Sequence, residues 1–186
     1  ANEPAARLAR AGALIELALR QYAPLPASSL GYLVRMLGHG APHLASELAI
    51  ALRAARPELG QVTLDGVTWY WPDEERPSAA RHAPPDRVRL LAPFDPVVWD
   101  RRRFEALWGW AYRFEAYTPA ARRKLGYYAL PLLWRDRVLG WANAAVTAQG
   151  RLDLSLGYLE GRPPGDAGFG RALDEEVESF RRFLPL

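Results

Sequence analysis

The chain has 186 residues, 49% of them hydrophobic, and no cysteine; that is enough chain for one or two domains with a sizeable core, and it excludes both a disulfide framework and a thiolate metal site. Its 24 Lys and Arg against 21 Asp and Glu leave a net charge of only +3, so the totals do not argue for a polyanionic partner. No apolar run approaches the ~20 residues of a membrane span and no signal peptide is visible, so a cytoplasmic protein without a membrane partner is expected.

Residues 5–22 read as a helix, with Leu8, Ile15, Leu19 and Tyr22 on one face. Pro24 and Pro26 end it. Ser28 or Ser29 caps a second helix to Leu37, followed by a Gly38-His39-Gly40 turn. A third helix runs from Pro42 to Ala55, with Leu44, Leu48 and Leu52 recurring at i, i+4. Its exposed positions are His43, Ser46, Glu47, Ile50 and Arg53. Arg53 is the cation, and Glu47 would repel phosphate. Two β-rich runs follow, Gln61–Leu64 and Val67–Trp71, joined by Asp65-Gly66, a strong short hairpin signal. Three helices and a hairpin are the order of a winged helix, with the hairpin, around Thr68 and Tyr70, as the wing.

Residues 72–87, with four prolines and alternating charges, read as a linker between a winged-helix domain (1–71) and a mixed α+β domain (88–186). In the latter, Val88–Leu91 is a short strand. Asp95-Pro96 reads as a capped helix start, with the helix running to Trp108. Strands are expected at Tyr112–Tyr117, Tyr127–Trp134, Arg137–Thr147 and Leu152–Leu159, with Arg135-Asp136 as the turn of a hairpin. A last helix from Asp166 places Phe169, Leu173, Val177, Phe180 and Leu184 on one stripe, with Asp174, Glu175, Glu176 and Glu178 on the outer face. The fold class is therefore α+β: a winged helix, then a small antiparallel sheet or partial β-barrel with a C-terminal helix.

Chemistry concentrates between Pro93 and Leu133. Seven cations lie between Trp99 and Lys124 against Asp100, Glu105 and Glu115, a local balance of +4 among tryptophans and tyrosines. Such a mixture suits nucleic acid, and it equally suits an aromatic core with a solvated rim. Of the 24 cations 23 are arginine, a bias that a GC-rich genome also produces. Arg101, Arg102 and Arg103 fall on a helix, where successive residues turn ~100° and at most two can face one ligand. Arg122, Arg123 and Lys124 follow Pro119 between strands, where a loop can aim all three outward, and they make the better phosphate clamp. Arg113 precedes them. Of the adjacent Tyr127 and Tyr128, a strand would offer only one for stacking on a base. Asp95 reads as a helix cap and Asp100 as an arginine partner, so no acid–base pair emerges. There is no phosphate loop with a following Lys and no Gly-x-Ser-x-Gly. His39, His43 and His82 are too scattered for a metal, and no cofactor is expected.

The run PFDPVVWDRRR, then YRFEAYTPAARRKLGYYALPLL, then RDRVLG closely resembles the C-terminal part of the YcaQ-type winged-helix DNA glycosylases, from about Val88 to Gly140. The resemblance implies tandem winged helices with a β-rich region, cradling duplex DNA and excising alkylated purines, including crosslinks. The family's catalytic Gln-x-Gln or Gln-x-Asp has no counterpart, since Gln21, Gln61 and Gln149 begin Gln-Tyr-Ala, Gln-Val-Thr and Gln-Gly-Arg. The strand after Gly140, often Arg-x-Asp-x-Lys in the family, reads Trp141-Ala-Asn143-Ala-Ala145. The expectation is a DNA-binding, non-catalytic C-terminal region or short paralogue of a repair glycosylase, without catalytic residues of its own. Its catalysis would come from a missing N-terminal segment or a partner chain. A start at Ala1 with Met36 as the one methionine fits a trimmed product. The alternative is a structural or protein-interaction winged helix without DNA binding.

Overall fold

The structure, a computed structural model, describes residues 3–183. The chain divides into two compact units, residues 1–82 and 83–186. The class is α+β, with helices and two small antiparallel sheets.

The first unit contains α1 (Pro4–Tyr22), β1 (Leu25–Pro26), α2 (Ala27–Gly40), α3 (Ala45–Ala55), β2 (Gly60–Leu64) and β3 (Val67–Trp71). Ala11, Ile15, Ala18 and Leu19 of α1 pack with Leu30, Leu33, Leu48 and Ala51 as the buried surface of the helices. The sheet order is β1-β3-β2. The Asp65-Gly66 turn takes positive φ at both residues (49° and 75°), the backbone that a two-residue hairpin needs. Three expectations change here. No serine caps α2: it begins after Pro26, runs through Gly38-His39-Gly40, and buries Ser29 at 2% exposure. Leu8 faces outward. Glu47 is half-buried, receiving a hydrogen bond from Arg7 Nε at 2.6 Å, so α3 does not present it as a bare carboxylate.

The second unit contains β4 (Val88–Leu90), α4 (Arg101–Trp108), β5 (Leu130–Trp134), β6 (Arg137–Val146), β7 (Leu152–Tyr158) and α5 (Ala167–Phe183). The sheet runs β4-β5-β6-β7, fully antiparallel and open, and no barrel closes. Its Arg135-Asp136 hairpin forms as the sequence predicts, with Arg135 at φ 54°. One core cluster holds Val98, Phe104, Tyr112, Ala129 and Val138. A second sets Phe169 of α5 edge-on to Trp134 at 5.9 Å. The expected stripe of α5 is followed through Phe180, and Leu184 lies outside the described residues. Glu176 is not on the outer face. It accepts hydrogen bonds from Leu90 N (2.9 Å) and Arg89 (3.1 Å), fastening α5 to the edge strand.

Two further corrections concern residues 95–128 of the second unit. Helix α4 begins at Arg101, not at Asp95-Pro96. Its cap is Asp100, whose Oδ1 accepts from Arg103 N at 3.2 Å, while Asp95 closes a local turn by accepting from Val97 N at 2.8 Å. Residues 112–117 form no strand, and β5 starts at Leu130, so Tyr127 and Tyr128 lie in a turn. Among the described residues, no helix is long and apolar enough to cross a membrane.

Candidate nucleic-acid interface

The segment between α4 and β5 has no regular strand, so side chains must fix its shape. Gly109 ends α4 in the left-handed region (φ 67°) and turns the chain back along the core. Tyr112 is then buried at 2% exposure and donates its hydroxyl proton to Ala129 O at 2.7 Å. Burial pushes the phenol up to about 12, against the pull of the Arg101 guanidinium that lies 4.6 Å from the ring centroid. Three residues on, Glu115 is buried, and its Oε2 accepts from the amides of Lys124 (2.8 Å), Leu125 (2.8 Å) and Gly126 (3.3 Å). Burial alone would raise this carboxyl; the three amides and the nearby Lys124 charge outweigh it and hold the group below its ordinary value. From the other side Asn143 of β6 donates to Leu125 O at 2.8 Å. Gly126 sits at φ 125°, and a β-carbon there would run into the Asn143 side chain, so only glycine fits.

This lock leaves residues 118–125 as a loop that exposes Arg122 and Lys124 and half-buries Arg123. Arg123 donates to Thr118 O at 2.8 Å and lies 4.9 Å from the centroid of Tyr127. Arg113 is exposed, and Tyr127 is 59% exposed. Of the residues singled out from sequence, Arg122, Arg123 and Lys124 lie on this loop, and Tyr127 meets it through Arg123.

The other candidates are placed differently. Arg102 is exposed on α4. Arg101 donates to Val98 O (2.8 Å) and Pro93 O (2.9 Å), and Arg103 is 4% exposed with a guanidinium hydrogen bond to Pro96 O. Both arginines therefore brace the segment before α4 and face no solvent ligand. In the first unit Arg53 is exposed on α3, Thr68 is half-buried with its hydroxyl 3.1 Å from that of Thr63, and Tyr70 is buried beneath Arg56. The hairpin is edged by exposed Val62, Leu64 and Val67 and carries no cation.

Sequence reading did not single out an aromatic cluster in the same segment. Phe114 is the hub for Phe94 (5.5 Å, 71°), Tyr117 (6.1 Å, 88°) and Tyr128 (5.1 Å, 86°), all edge-to-face. These three outer rings are 68%, 91% and 44% exposed. The expectation that one of Tyr127 and Tyr128 must be packed inside rested on a strand that does not form. The density of aromatics in the block was a usable signal, whereas the roles of Glu115 and Asn143 had none. The replaced strand motif has an internal use: Trp141 stacks on Trp110 (6.1 Å, 28°), and Asn143 holds the loop.

No solved structure matches the chain. The family model described as DNA glycosylase AlkZ-like matches residues 2–183, essentially the whole of it. With the resemblance of the 88–140 block now set within a match of that length, the chain belongs to the AlkZ-like DNA glycosylase family, a family of DNA repair.

Proposed function

We propose that this chain binds duplex DNA as a non-catalytic region of a repair glycosylase, and that a catalytic glutamine motif comes from an upstream segment or a partner chain. The observation that carries the reading is the 118–125 loop. The Glu115 carboxylate is turned onto the amides of residues 124–126 and offsets only part of the charge, so Arg122, Arg123 and Lys124 leave a net positive loop for a sugar–phosphate backbone, with Arg113 exposed in the same segment. Such contacts give affinity with little sequence preference. In the first unit, the order α1-β1-α2-α3-β2-β3 with β3 central supports a winged helix, and Arg53 supports a secondary phosphate contact.

A second reading has its own observation. The hairpin edge is apolar at Val62, Leu64 and Val67, which suits a protein partner better than phosphate. Under that reading the chain is an interaction module without DNA binding.

A salt titration on mixed-sequence duplex separates them. About four phosphate contacts give a slope of log K against log salt near −3.5. Replacing Arg122, Arg123 and Lys124 together by alanine is expected to reduce the slope by about 2 to 3. No binding at low salt, or an unchanged slope in the triple variant, rejects DNA binding through this loop.

A further inference from the structure

Phosphate contacts do not account for the rings. Phe94, Tyr117 and Tyr128 stand around Phe114 with most or nearly half of their surface in solvent. The arrangement is tied to the basic loop by a closed circuit of contacts. Arg123 reaches Thr118 O, next to Tyr117, and covers Tyr127, next to Tyr128; both Tyr117 and Tyr128 meet Phe114. Among the described residues, the two buried core clusters of the second unit are built from other side chains. Exposed aromatic surface rimmed by polar groups marks an interaction site.

The charge around the patch identifies the partner. Arg123 is tied to it through Thr118 O and Tyr127, Arg122 and Lys124 flank Arg123 in the chain and Arg113 precedes Phe114, while the carboxylates Glu115 and Asp95 accept from backbone amides. A surface of aromatic rings among cations complements a strand that is anionic along its backbone and offers flat π-faces. Paired bases in a duplex are already stacked on one another and expose only their edges. Unpaired bases are free to lie on the rings.

We infer that Phe94, Tyr117 and Tyr128 form a stacking ledge for an unpaired DNA strand, whose phosphates run along Arg113 and the Arg122–Lys124 loop. This rests on the reading of that loop as a phosphate site and adds the nucleotide state that the site prefers. In a repair protein, such a ledge would hold a strand opened beside a lesion.

The test compares, with the full chain at one low salt concentration, a labelled thymidine oligomer of about eight nucleotides with a mixed-sequence duplex of the same length. Tyr117 and Phe94 are the most exposed of the three rings, so their substitution is expected to leave the fold intact. Tyr117→Ala and Phe94→Ala are each expected to weaken binding of the oligomer about tenfold. Tyr117→Phe should restore the wild-type value, and duplex affinity should change by less than about twofold, since the rings have no π-face to meet there. Failure of the wild-type chain to bind the oligomer, or an equal loss on both DNA forms, overturns the ledge. So does insensitivity to both alanines, and if duplex binding then persists the duplex reading stands without it. Conversely, oligomer binding that depends on Tyr117, in a chain that ignores duplex, sinks the duplex reading and supports the ledge.

Discussion

Glu115 shows how one side chain can decide the use of its neighbours. A carboxylate beside three cations would ordinarily cancel part of their attraction for phosphate. Here it is turned inward onto the amides of residues 124–126, and it shapes the loop that carries the cations. The two roles predict opposite signs. By charge alone, Glu115→Gln should bind DNA more tightly. By structure it should bind more weakly, because a neutral amide oxygen is a weaker acceptor for the three backbone amides than the charged Oε2. We expect a loss of about 2 kcal/mol in stability, read from urea unfolding, together with weaker duplex binding. A variant of undiminished stability that binds more tightly would falsify this role. The sign of the pH effect follows from the direction of the shift. The folded group titrates below its ordinary value, so its contribution is present at neutral pH and disappears on acidification.

At the level of elements, α1 and α3 are joined by the Arg7–Glu47 pair, and Arg7 also donates to His43 O. The hydrogen bond from Arg7 is the main reason the Glu47 carboxyl falls from 4.5 to about 2. A depressed carboxyl stabilises the fold above its ordinary value and loses that contribution as pH falls through the folded one. Stability of the wild type should therefore drop between about pH 4.5 and 2. Glu47→Gln should start lower at neutral pH and flatten that part of the profile, followed by thermal unfolding at stepped pH. Parallel profiles for the two proteins would remove the pair from the acid transition. These elements also show what could be read in advance. Asp65-Gly66 and Arg135-Asp136 announced their hairpins because two-residue turns demand particular backbone angles. The spacing of Ile15, Leu19 and Leu48 announced their helices. Tyr112–Tyr117 deceived because alternating polarity also arises when an irregular segment buries Tyr112 and Glu115 for separate reasons, one for the core and one for three amides. Asp95-Pro96 deceived because a turn and a helix cap use the same carboxylate chemistry, and the true cap lay five residues later.

Across the whole molecule, a net charge of +3 is distributed unevenly. Arg20, Arg135 and Arg181 are joined to carboxylates, whereas Arg102, Arg113, Arg122 and Lys124 are in no ion pair among the described residues. Affinity for DNA should then depend on where charge is removed rather than on how much. Lys124→Glu and Arg171→Glu lower the net charge equally, and Arg171 is an exposed residue of α5. We expect the former to weaken duplex binding at least about tenfold, as loss of a close phosphate contact plus repulsion implies, and the latter to leave it within about twofold. Equal effects would mean that total charge governs binding. The α+β class was legible from helix and strand periods, and the Arg122–Lys124 triplet from its adjacency, while the shape of the loop that carries it was not, because that depends on Glu115, Gly126 and Asn143 meeting across the chain. That meeting has a thermodynamic consequence. Each backbone residue confined to one conformation costs about 1–2 kcal/mol of entropy. For residues 124–126 this confinement is complete when the protein folds, so a ligand arriving at the loop encounters a preorganised surface and need not supply that ordering itself.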